Sequence, residues 1–68
     1  MNKKEISGAL MIFGNTRKMS ERIFIKQSGL TKDKVEFLIK EKYLIRGKTS
    51  DDEEQLTITE KGRNAMYG

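Results

Sequence analysis

Sixty-eight residues without a cysteine or a histidine leave little room for most site chemistry. A chain this short builds one small domain with a modest core, and with no disulfide and no Cys/His zinc site to reinforce it, dimerisation is the remaining common staple. The net charge of +4 divides unevenly: residues 1–48 hold twelve basic and five acidic side chains, residues 49–68 two and five. Such a basic body attracts polyanions by Coulomb forces and counterion release, although a merely solvated surface has the same composition.

No apolar run approaches membrane-spanning length and no signal-peptide pattern opens the chain, so a cytoplasmic protein without membrane contacts is expected. With no His and no Cys, the commonest general base and the best nucleophile are missing, and none of Ser7, Ser20, Ser28 and Ser50 has an evident activating partner. The expectation is therefore no enzyme and no cofactor. The acidic run Asp51 to Glu54 lacks the alternating oxygen ligands and the glycine of a calcium loop, so no metal is expected either.

Asn2 and Glu5 have capping-box spacing ahead of an apolar run and predict a first helix over about 3–13. Ile6, Ala9, Leu10 and Phe13 form its core stripe. Met11 and Ile12 lie outside that stripe, to be covered either by neighbouring elements or by a second subunit. Gly14 stands where a left-handed C-cap belongs. Thr16 to Met19, with Arg17 and Lys18, reads as a short strand or an extended link. Ser20 can cap a second helix over about 21–28 that buries Ile23 and Phe24.

A tight turn at Ser28-Gly29-Leu30 leads to Thr31, a plausible N-cap, and to a third helix over about 32–43. At about 100° per residue, Val35, Leu38 and Ile39 share one face, with Asp33, Lys34, Phe37 and Lys40 opposite. A buried stripe backed by a basic, partly aromatic face suits a groove-reading helix, and equally a helical hairpin that binds nothing. Leu44-Ile45-Arg46 then reads as a strand, residues 47–54 as a polar connection, and Gln55 to Ile58 as a half-buried strand, together a β-hairpin. Thr59 caps a last helix, EKGRNAMY, in which Ala65 and Met66 pack back and Gly62 weakens the helix. The fold class expected is α+β, mainly helical with one small hairpin, as one domain over 1–68.

In this order, SGLTKDKV at the turn, YLIR at the exit of the third helix and LTITEKGR after the hairpin resemble the winged helix–turn–helix family, specifically its small prokaryotic, phage or plasmid regulators. The resemblance covers nearly the whole chain. It implies a transcriptional regulator that binds double-stranded DNA as a homodimer, with the third helix in the major groove. Carried over by position, Lys32, Asp33, Lys34, Glu36, Phe37 and Lys40 face the bases. Thr31 meets a phosphate at the helix start, and the lysines bond phosphates or guanine acceptors. Arg17 and Lys18 reach the backbone, with Arg46 and Lys48 at the base of the wing. Helix 1 and the last helix supply the dimer interface through Met11, Ile12, Met66 and Tyr67.

Three features depart from that pattern: a wing with four carboxylates, 51–54; a third helix with a net charge of only +1 over 31–43; and Ile25 where the family usually carries a small residue. They favour an alternative, a protein-interaction adaptor that docks a polymerase or replication protein on an exposed Phe37 and the acidic wing. An outward Phe37 reads three ways: contact with a base methyl, contact with a protein, or a misjudged helix phase.

Overall fold

The computed structural model describes residues 1–67; Gly68, the last residue of the expected domain, lies outside them. In chain order the elements are α1 (Lys3–Leu10), a 3-10 turn (Met11–Phe13), β1 (Lys18–Ser20), α2 (Glu21–Ser28), α3 (Lys32–Lys40), β2 (Leu44–Lys48), β3 (Glu54–Ile58) and α4 (Glu60–Met66). This is the element order read from the sequence, and the segment at 18–20 is a strand rather than a link. The three strands form an antiparallel sheet in the order β1-β3-β2.

Register follows burial. Met19, Leu56 and Arg46 pair across the sheet, as do Leu44 and Ile58, so one face of the sheet meets the helices. Onto it pack Leu10 and Phe13 from the first helical segment, Phe24 from α2, and Val35 and Leu38 from α3. All of these are enclosed, as are Leu44 and Leu56. The Phe13 and Phe24 rings meet at 5.4 Å between centroids, tilted by 44°. Each fully enclosed Leu or Phe contributes about 1.5–3 kcal/mol from its removal from water.

Four expectations change. The first helix is α-helical only to Leu10; residues 11–13 tighten into a 3-10 turn, and Gly14 closes it at φ +54° and ψ −123°. That conformation is open to glycine but is not the left-handed helical well. The third helix stops at Lys40, not at 43. Lys42 takes φ +69°, its N–H bonds the Ile39 carbonyl at 3.0 Å, and the Tyr43 N–H bonds the Leu38 carbonyl at 3.0 Å. This is a Schellman ending with a lysine where glycine is usual.

In α2 the buried residues are Phe24 and Glu21, whereas Ile23 is 43% exposed. Positions 21, 24, 25 and 28 repeat every three to four residues and share the inner side. Gly62 is not merely a weak point: a Cβ there would clash with the Tyr43 carbonyl oxygen and stand 2.8 Å from Ile58 Cγ1. The bare backbone is what lets α4 approach the end of α3. Among the described residues, no helix is long and apolar enough to cross a membrane.

Candidate nucleic-acid interface

The link between α2 and α3 is short and internally bonded. Gly29 adopts φ +71°, its N–H reaching the Ile25 carbonyl at 2.9 Å, and the Leu30 N–H bonds Ser28 Oγ at 3.2 Å. Thr31 is the N-cap of α3, its hydroxyl accepting from the Lys34 N–H at 3.3 Å. Ser20 holds the matching position for α2 but makes no capping bond. Its Oγ is buried and unpartnered among the described residues.

α3 divides into two sides. Lys34 donates to Glu5 of α1, and Phe37, one turn on, is half-buried against the core. Lys34 is thus half-exposed but engaged by α1, and Phe37 is half-buried, so neither is the free outward residue expected. The other side carries Lys32, Asp33, Glu36 and Lys40, all exposed. Lys32 and Lys40 make no ion pair among the described residues, and Thr31 is exposed beside them.

Lys48 pairs with Asp52 at 3.3 Å across the hairpin turn. Glu54 belongs to β3 and lies 3.1 Å from Arg46, so the four acidic residues at 51–54 are not four free charges. Arg46, expected at the wing base as a phosphate ligand, instead binds inward. Its Nε and Nη2 donate to Glu21 at 2.8 and 3.0 Å, and Nη2 donates also to Glu36. Hydrogen bonds from Glu21 and then Glu36 raise the guanidinium's pKa further above its already high ordinary value, so it stays charged at every working pH.

Arg17 and Lys18 are exposed but sit apart from α3. Arg17 lines a groove of about 370 Å³ with Ile58, Thr59, Glu60, Arg63 and Asn64, none of them from α2 or α3. Two cations that sequence reasoning missed stand on α2. Arg22 lines a groove of about 410 Å³ together with Ile25, Lys32, Glu21, Glu53 and Glu54. Lys26 follows Arg22 by four residues, and both are exposed and unpaired among the described residues. Their spacing, opposite Phe24 on the wheel, was the available signal.

Of the expected interface residues, Met11 is 59% and Tyr67 76% exposed, Ile12 is half-buried against the core, and Met66 is buried at 5%. Met66 belongs to the core of the monomer, with its carbonyl accepting from Ser7 Oγ at 2.9 Å. Among the described residues, no group of three or more acidic, His or Cys side chains is placed to hold a metal ion. Compared with known proteins, the chain matches no family model, no curated protein and no solved structure.

Proposed function

We propose that the chain is a winged-helix domain that binds double-stranded DNA, with α3 in the major groove and β2–β3 as the wing, and that it works as a small transcriptional regulator. One observation carries the reading: α3 presents two exposed lysines, Lys32 and Lys40, that make no ion pair among the described residues, and Arg22 of α2 lines the same groove as Lys32. Eight residues separate Lys32 from Lys40, which is about 12 Å along a helix axis and comparable to the width of the major groove. Both ends of the helix then reach phosphates. Asp33 is the outward group left to meet a base edge, as an acceptor from cytosine N4.

Met11 and Tyr67 are the exposed apolar residues from which a homodimer interface is built, doubling the phosphate contacts. The adaptor reading loses its anchor, because Phe37 packs against the core.

Fluorescence anisotropy with an arbitrary duplex at two salt concentrations tests the proposal. Binding with a dissociation constant of about 1–100 μM that weakens steeply with salt is expected for sequence-independent contacts. Lys32→Ala with Lys40→Ala should lower the salt slope by about two log units per log unit of salt. Absence of binding at low salt rejects the DNA reading.

A further inference from the structure

Three glutamates from three elements converge on one guanidinium. Glu21 comes from α2, Glu36 from α3 and Glu54 from β3, and Arg46 itself stands on β2. Burial accounts for only one of the three. The Glu21 side chain is 7% exposed and needs a counter-ion, whereas Glu36 and Glu54 are 46% and 45% exposed. Exposed pairs of this kind add little stability, so the hold on Glu36 calls for another explanation.

The sequence of α3 supplies one. Lys32, Glu36 and Lys40 are spaced four apart and form a single row along the outward side. A free Glu36 has a lysine one turn above and one turn below it, both at the spacing at which helical ion pairs form. Yet both lysines are unpaired among the described residues, because the Glu36 carboxylate is turned toward Arg46 at the base of the hairpin.

We infer that Arg46 is a positioning residue for nucleic-acid binding: by capturing Glu36 it withdraws a competing carboxylate from the α3 row and leaves Lys32 and Lys40 free for phosphate. Arg46 need not touch the duplex to do this. Its two bonds to Glu21 fix the guanidinium, and Nη2 is then set to hold Glu36 as well. This role rests on the DNA reading proposed above.

The test is Arg46→Lys, alone and combined with Glu36→Gln, in the full chain. Lysine keeps the charge beside Glu21 but lacks the planar fork that holds two carboxylates at once. Arg46→Lys should retain the fold by circular dichroism, bind duplex about tenfold more weakly, and lose about one log unit of salt slope as Glu36 turns to a lysine. Adding Glu36→Gln should restore both affinity and slope, which a purely structural role of Arg46 would not allow.

Without DNA, the NMR chemical shifts of the Lys32 and Lys40 side chains at one pH give a second readout. They should move in Arg46→Lys and return in the double variant. If the parent binds duplex and Arg46→Lys binds as tightly, with unmoved lysine shifts, the inference is overturned while the DNA reading stands. A parent that binds no duplex at low salt overturns the DNA reading, and the positioning role with it. If Arg46→Lys unfolds, Glu36→Gln alone decides: unchanged affinity supports an already captured Glu36, and a clear gain in affinity overturns the capture.

Discussion

α3 and α4 begin alike and end up in opposite situations. Each is capped by a threonine in extended conformation whose hydroxyl accepts from the N–H three residues on, Lys34 in one case and Gly62 in the other. Thr59 is sealed into the fold. Its hydroxyl stands 2.6 Å from the Lys42 carbonyl and 3.0 Å from that of Tyr43, with one proton to donate, and its N–H bonds the Tyr43 carbonyl as well. The cations of α4 are spent in the same way. Lys61 donates to the Glu41 carbonyl at 2.7 Å and lies 4.6 Å over the Tyr43 ring, while Arg63 reaches the Gly14 and Thr16 carbonyls. Thr31 has no such second role. The start of α3 is open, with Lys32 unpaired beside it. Identical capping chemistry thus yields one helix end that holds the protein together and one that is available to a ligand.

The largest effect expected is at the sealed end. Gly62→Ala forces a methyl into the Tyr43 carbonyl and Ile58, and should cost about 3 kcal/mol, as overpacking against rigid backbone does. In a domain of this size about 1 kcal/mol moves the melting temperature by about 4–8 °C, so thermal melting reads it directly. A melting temperature equal to the parent's would mean that α4 does not approach Tyr43 so closely.

The cap pair sharpens the contrast. Thr59→Ala removes a cap and the hydroxyl's bond to the end of α3, which is only partly buried, and should cost about 2 kcal/mol. Thr31→Ala removes a cap alone, about 1 kcal/mol or less, but should weaken duplex binding, which Thr59→Ala should leave unchanged once both are compared well below their melting points. Equal losses of stability, or equal effects on binding, would erase the distinction between the two ends.

The smallest effect belongs to the inner side of α3. The hydrogen bond from Lys34 holds the Glu5 carboxyl below its ordinary range. A carboxylate lowered in the folded state adds stability above its unfolded pKa and loses it as pH falls through the folded one. Lys34→Ala should therefore melt slightly below the parent at neutral pH and converge with it on acidification. It should also leave duplex binding unchanged, since this lysine is already engaged. A loss of affinity would return Lys34 to the outward side.

Much of the frame was legible because local patterns encode it. Asn2, Thr31 and Thr59 cap the helices that their spacing announces, and Gly29 makes the turn between α2 and α3. The end of α3 was not legible, because Lys42 adopts a left-handed conformation that carries a cost of about 1–2 kcal/mol for a residue with a Cβ and that no glycine advertises. The candidate site was half-legible. Periodicity put Lys40 on the outer face and the family resemblance added Lys32, while Lys34 and Phe37, on the same face of the wheel as Lys40, are engaged by Glu5 and packed against the core.

The sequence by itself determined the order of helices and strands, the caps at Asn2, Thr31 and Thr59, the turn at Gly29 and most of the apolar stripes, though not the Ser20 cap or the side of α2 on which Ile23 lies. Each depends on residues within about a turn of one another, where backbone sterics and period decide the outcome. Only the tertiary structure decided which charges were left over. Glu5 and Lys34 are 29 residues apart, and Glu21 and Arg46 are 25 apart. Their pairing depends on how the helices cross the sheet, and no local pattern records that. It is this long-range pairing that turned a nearly neutral third helix into one with two free lysines on its outer side.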